Sequence, residues 1–185
     1  MKSNSDKKRP HLCLIGFSGS GKSTAGRMVA KQLRRRIVDI DAQIASARGV
    51  SISEIFESRG ERYFRKLEEK EIRKQFNSGC PPSVVAIGGG GFENAITRRL
   101  LLENTVVVYL KCSLSEIMRR MKAATDRPLL NVPARERREF IRSLFAERRA
   151  HYEMAHITVT TSGKTVGAVT REICRKYKTY ERSQV

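Results

Sequence analysis

The stretch GFSGSGKST, residues 16–24, decides the fold. It fits G-x-x-x-x-G-K-[ST], and it stands where that pattern has a mechanism: behind the apolar run HLCLIGF (11–17) and ahead of a segment with helical spacing. Gly16, Gly19 and Gly21 let successive backbone amides wrap phosphate oxygens. Lys22 is then expected to reach the outer phosphates of a nucleotide, and the Ser23 hydroxyl to ligate magnesium. Thr24 stands where a dinucleotide fingerprint needs its last glycine, so the ligand expected at this loop is a nucleotide's phosphates with Mg2+ rather than a dinucleotide. The expected nucleotide contacts are Gly19, Ser20, Gly21, Lys22, Ser23 and Thr24.

Outward from this loop, β-type runs recur at IVDI (37–40), SVVAI (83–87), TVVVYL (105–110) and ITVTT (157–161), with longer helical stretches between them. That alternation predicts βα units around a parallel sheet. The first helix should run from the GKST segment to about Arg34. Ser51 followed by Glu54 is a capping box, and Gly60 should separate the short helix it opens from a longer one reaching Phe76. The chain of 185 residues suits one domain over residues 11–178. Residues 1–10 and 179–185 lack periodic apolar positions and are expected to fray.

Composition narrows the function classes. Four scattered cysteines without a C-x-x-C pair, and three histidines, argue for a reducing compartment and against a zinc site. No apolar run approaches a membrane span, and no signal peptide pattern opens the chain, so the expected location is the cytoplasm; no strip of exposed apolar residues stands out, so the expected state is a monomer. The net charge of +18 suits anionic ligands, but only 6% of residues are aromatic and they do not alternate with the cations. No sequence-specific nucleic-acid binding is expected.

Three further features stand out. In IVDID, Asp39 and Asp41 fall on one side if the chain stays extended. One could then hold magnesium and the other the proton of an acceptor hydroxyl. In the helix ARERREFIRSLFAERRAHY, Ile141, Leu144, Phe145 and Tyr152 make an inward stripe that Arg148 shares, and an inward arginine needs an anion. Arg65 lies in the helical direction of Ile72 and Phe76, and by pattern alone a structural ion pair is its simpler reading. Residues 122–136, KAATDRPLLNVPARE, carry two prolines and no sustained periodicity, as a lid would, with Arg127 as its one well-placed cation.

In order, these motifs resemble the shikimate kinase family: GxxGxGKST, DxD, GExxFRxxE at Gly60 to Glu68, GGG at Gly88 to Gly90, RPLL at Arg127 to Leu130, and an arginine four residues before Tyr152. The resemblance implies a P-loop α/β fold with a five-stranded parallel sheet in the order 2-3-1-4-5, flanked by helices and closed by a mobile lid. It implies transfer of the γ-phosphoryl of ATP to the 3-hydroxyl of shikimate. It assigns Asp39 to the metal, Asp41 to the reacting diol, Arg65 and Arg148 to the shikimate carboxylate, and Arg127 to the phosphates. Arg120 would stack on adenine, Phe56 and Phe64 would wall the acceptor pocket, and Gly88, Gly89 and Gly90 would let the acceptor approach their backbone. Arg149 is a second candidate beside Arg148. A gluconate-kinase-like enzyme shares the loop but expects a His-Pro pair where this chain has AQIASARG. A non-catalytic ligand sensor on the same fold is the alternative from another class.

Overall fold

The computed structural model describes residues 10–76, 80–122 and 133–184. Five strands form one parallel sheet: β1 (His11–Ile15), β2 (Ile37–Asp39), β3 (Val84–Ala86), β4 (Thr105–Lys111) and β5 (Ile157–Thr160). Their spatial order is β2-β3-β1-β4-β5, as the motif order implied. The registers place Leu14 opposite Ala86 and Asp39 opposite the same Ala86. The carboxyl ends of the three strands β2, β3 and β1 therefore lie side by side, which is where ligands bind in open α/β sheets.

Strict alternation of side chains divides the core in two. Cys13 and Ile15 of β1, with Val107 and Tyr109 of β4, face one apolar cluster, while Leu12, Leu14, Val106, Val108 and Leu110 face the other. Both sets are almost wholly buried, as a parallel sheet covered on both faces requires. The first cluster is completed by α2 (Ile40–Arg48), α3 (Ile52–Gln75), α4 (Ala95–Asn104), α5 (Leu114–Lys122) and α6 (Ala134–Tyr152). The second is covered by α1 (Lys22–Leu33) and α7 (Val166–Ser183), which pack against each other.

Local signals hold in detail. Arg34 caps α1 in the left-handed region. Ser51 accepts from the Glu54 amide at 3.2 Å while Glu54 accepts from the Ser51 amide at 2.7 Å, so the capping box is formed on both sides. Gly60, at φ 75° and ψ 168°, breaks α3 into its two segments. Among the described residues no helix is long and apolar enough to cross a membrane, and all four cysteines are free.

Three expectations change. The D-x-D segment is not extended: β2 stops at Asp39, which becomes the N-cap of α2 and accepts from the Ala42 amide at 3.3 Å. Asp41 thus sits in a helical first turn, and the two carboxylates are not related by strand alternation. Residues 134–136, expected in the lid, form the first turn of α6, and 123–132, with Arg127, lie outside the described residues. The C-terminal helix runs to Ser183, past the expected fraying point, because its aromatic residues find partners. Tyr177 donates to the Pro10 carbonyl and accepts from Arg35, each at 2.8 Å, and Glu181 pairs with Arg35 at 3.7 Å. Pro10 is drawn into the domain by the same contacts. Tyr177→Phe removes the hydroxyl's contacts with Pro10, Arg35 and Glu181 and should lower the unfolding free energy by about 1–3 kcal/mol in urea titration.

Candidate active site

A cavity of about 980 Å³ opens at the carboxyl ends of β2, β3 and β1. One end is made by the loop before α1. Gly19 and Gly21 have positive φ there, and Gly16, at φ 142°, passes so close to β4 that a Cβ would lie 2.8 Å from the Leu110 carbonyl oxygen. Lys22 donates to the carbonyls of Gly16 at 2.8 Å and Phe17 at 3.1 Å, which holds its ammonium over the loop. Ser23 donates to Asp39 at 2.8 Å. Arg120, on α5, donates to the Gly19 carbonyl at 3.2 Å and is held from behind by Glu116 at 2.7 Å.

The other end is built around four consecutive glycines after β3. None of Gly88 to Gly91 needs a positive φ; the requirement is closeness. A Cβ on Gly88 would stand 2.8 Å from Asp41 and 2.9 Å from Glu68. On Gly89 it would meet the Ser18 amide nitrogen at 3.1 Å, on Gly90 the Arg65 guanidinium at 2.2 Å and Arg148 at 3.2 Å, and on Gly91 Glu68 at 2.5 Å. Two carboxylates, two guanidiniums and the first glycine loop therefore all rest on backbone without side chains.

The charges are coupled. Arg65 pairs with buried Glu68 at 2.7 Å and with exposed Glu61 at 2.8 Å. Burial pushes the Glu68 carboxyl up to about 7; the nearby Asp41 adds to that rise, while Arg65 and Arg148 oppose it. Burial also raises Asp41, and Lys22 works against it. One oxygen of each carboxylate, Asp41 Oδ1 and Glu68 Oε1, is buried without a hydrogen-bond partner. Such atoms are costly unless a ligand donates to them.

Helix α6 closes this end. Tyr152 donates to the Gly89 carbonyl, and His151 Nδ1 lies 2.7 Å from Glu93, just beyond the glycine run. Arg98 braces that segment from α4 through the carbonyls of Phe92 and Glu93, both at 3.0 Å. Arg148, one turn before these pins, is 9% exposed and faces the cavity; Arg149 is exposed and pairs with Glu153 at 2.9 Å. The geometry thus separates the two arginines that the sequence left together.

The cavity gathers Gly19, Gly21, Lys22, Ser23, Thr24, Asp39, Asp41, Phe56, Phe64, Arg65, Gly88, Gly89, Gly90, Arg120 and Arg148. Phe56 and Phe64 form its apolar wall, ring centroids 4.9 Å apart. Ser20 is the exception: it is 1% exposed, does not line the cavity, and its amide bonds back to Phe17 at 3.1 Å. Sequence reasoning missed Glu68, although it ends the quoted GExxFRxxE motif, and it missed Phe140, Leu144 and Val166 as lining residues. Leu144 already stood on the inward stripe beside Arg148, and Phe140, at i−8 from Arg148, could have been added to it. Val166 had no such signal; it enters the cavity only because α7 starts beside the loop of α1. The facing hydroxyl and carboxylate of Ser23 and Asp39 are hard oxygen donors of the kind Mg2+ takes, with no nitrogen or sulfur ligand among them.

Comparison with known proteins agrees with this geometry. The family profile described as shikimate kinase matches residues 18–178. A shikimate kinase from a Sulfurihydrogenibium species is 40% identical over 168 residues, covering 91% of this chain and 98% of the relative. A solved shikimate kinase from Acinetobacter baumannii, in complex with shikimate, superposes with a TM-score of 0.85 at 31% identity, over 92% of this chain and 94% of that one. A gluconokinase from Sinorhizobium meliloti 1021, 16% identical with a TM-score of 0.60 over 96% of each chain, shares the fold alone.

The raised Glu68 carboxyl has a stability consequence. The folded state holds that proton up to about pH 7, whereas the unfolded chain releases it near the ordinary glutamate value of 4.5. The contribution is therefore fully present below about pH 4.5 and is lost as pH rises through 7. Glu68→Gln should flatten the pH dependence of the thermal midpoint between pH 4.5 and 8, and a wild-type-like slope in that variant would remove Glu68 as its source.

Proposed function

The chain belongs to the shikimate kinase family, and we propose that it transfers the γ-phosphoryl of ATP to the 3-hydroxyl of shikimate, releasing ADP and shikimate 3-phosphate. The observation that carries this reading is the convergence of Arg65 and Arg148 on Gly90, a pair of planar cations facing a cavity whose other end is a phosphate loop. Two guanidiniums meet one carboxylate well and a neutral sugar or a base poorly. The segment AQIASARG after the paired acids also lacks the His-Pro pair of a gluconate-kinase-like site.

In this mechanism the amides of Gly19 to Thr24 and the Lys22 ammonium hold the triphosphate, and Arg120 with Val166 flanks the nucleotide end. Ser23 and Asp39 would hold Mg2+, which supplies charge neutralisation on the β- and γ-phosphates. Asp41 accepts a hydrogen bond from the acceptor hydroxyl. As the hydroxyl oxygen bonds to the γ-phosphorus, the bond from that phosphorus to the β,γ-bridging oxygen breaks, and the proton passes to the Asp41 carboxylate. Burial of Asp41, which raises its affinity for a proton, favours that role. An incoming shikimate carboxylate competes with Glu68 for Arg65 and satisfies Arg148, while Phe56 and Phe64 exclude water from the ring. The Arg127 role over the phosphates belongs to the same proposal. Four free thiols and the substrates suit a reducing cytoplasm.

ADP release with Mg-ATP should depend on shikimate and be absent with gluconate or no acceptor. Arg65→Ala and Arg148→Ala should each raise the shikimate KM by roughly ten- to a hundredfold, the worth of a charge-assisted hydrogen bond, with a smaller change in kcat. Arg149→Ala should leave both unchanged. Lys22→Ala and Asp41→Asn should instead cut kcat by about a hundredfold or more. Equal turnover with gluconate would overturn the acceptor assignment and leave the nucleotide site standing.

A further inference from the structure

The outer face of α1 and α7 carries a charge arrangement that the kinase site does not use. No acidic residue occurs between Pro10 and Asp39. Arg27 and Lys31 lie four apart on α1, with Arg34 at its C-cap; on α7, Arg171, Arg175, Lys178 and Arg182 recur at i, i+4, i+7 and i+11. All seven are exposed, and none meets a carboxylate among the described residues. The acids of α7, Glu172 and Glu181, are taken by Lys164, Lys176 and Arg35. On α3, by contrast, acids are interspersed among the cations, and three of its seven cations, Arg65, Arg73 and Lys74, are paired.

Because the two helices pack side by side on the sheet, their cations form two neighbouring ridges. The α7 ridge spans about 16 Å at 1.5 Å per residue, the reach of about five nucleotides of one strand. Like charges at i and i+4 destabilise a helix, so neither ridge serves the fold. The face lacks the apolar side chains that would insert into a lipid surface or anchor a protein interface: Met28 is the one large exposed apolar side chain of α1, and Val166, at the start of α7, lines the cavity.

We propose that this face binds the phosphodiester backbone of a nucleic acid, without base readout, at a surface separate from the kinase site. Each cation contacts phosphate, and no aromatic side chain stands exposed between the ridges to stack a base. The expected behaviour is tolerant of sequence and steep in salt.

The test is fluorescence anisotropy of a labelled random-sequence 20-base-pair duplex, titrated with the full chain in saturating Mg-ADP at 50–200 mM KCl. Binding in the micromolar range at 150 mM is expected, with log K falling against log salt at a slope of about −6 if all seven cations engage. Arg171→Ala/Arg175→Ala should make that slope shallower by about 2. Arg27→Glu/Lys31→Glu/Arg171→Glu/Arg175→Glu should abolish binding while ADP release in the kinase assay is retained. Lys66→Glu/Lys70→Glu on α3 should change binding less than twofold. The proposal fails if the duplex does not bind at 150 mM, if Mg-ADP displaces it, or if the α3 variant weakens it as much as the α1/α7 variants do. It also fails if phosphatidylserine vesicles bind and the duplex does not.

Discussion

Backbone without side chains at the end of β3 is the constraint on which the site depends. Four elements bring functional groups to it: the loop before α1, α2 with Asp41, α3 with Arg65 and Glu68, and α6 with Arg148. The sheet order makes this possible, since β3 lies between β2 and β1 and its carboxyl end is central to all of them. Any side chain on Gly88, Gly90 or Gly91 would occupy space already held by a charged group. The turn is thus kept bare by its own neighbours.

That closeness creates an electrostatic problem, which the ligand is suited to relieve. Asp41 and Glu68 are near enough to raise Glu68 further, yet each keeps a buried oxygen without a donor. Arg65 holds Glu68, and the nearby charge of Arg148 opposes the same rise. A hydroxylated carboxylate fits such a cluster in both senses: its hydroxyls donate to the orphaned oxygens, and its charge takes the guanidiniums. The pins from Tyr152 and His151 matter because Arg148 is useful only while α6 stays against the turn. A guanidinium a few tenths of an ångström out of place loses the directed bond that gives it specificity.

The sheet and most helices were legible because their signals are local. Strand alternation, the capping box at Ser51 and the break at Gly60 each depend on a few adjacent residues. The D-x-D reading failed for an equally physical reason: Asp39 can satisfy the first amides of a helix, and an N-cap ends a strand more cheaply than continued pairing does. Asp39 and Asp41 meet in the cavity through a strand-to-helix turn that period-2 reasoning does not contain. Arg148 was legible from its stripe, while Arg65 was ambiguous because its helical direction fits an ion pair and a clamp equally well. The structure supplies the ion pairs, with Glu61 and Glu68, and also turns the guanidinium onto Gly90. Glu68 had no visible role in the sequence because its importance lies in burial, which a polar residue in a charged helix does not advertise. The C-terminal helix outlasts its apolar periodicity because Tyr177 and Glu181 are held by polar partners some 140 residues away.

The division of the core explains why one chain can carry two kinds of positive charge. On the face of β1 and β4 that turns toward α3 and α6, the cations near the site answer to carboxylates a few ångströms away, and their positions are fixed by the glycine turn. On the face covered by α1 and α7, packing uses only the inward stripes, so the outward positions are set by neither core nor catalysis. Random assignment of such positions would mix signs, and mixed signs would stabilise both helices through i, i+4 pairs. Two uninterrupted ridges of one sign instead raise the potential over the whole face and draw polyanions toward it at a distance set by salt. These seven cations therefore form an ordered surface outside the lining of the cavity, and that separation lets either be altered without the other.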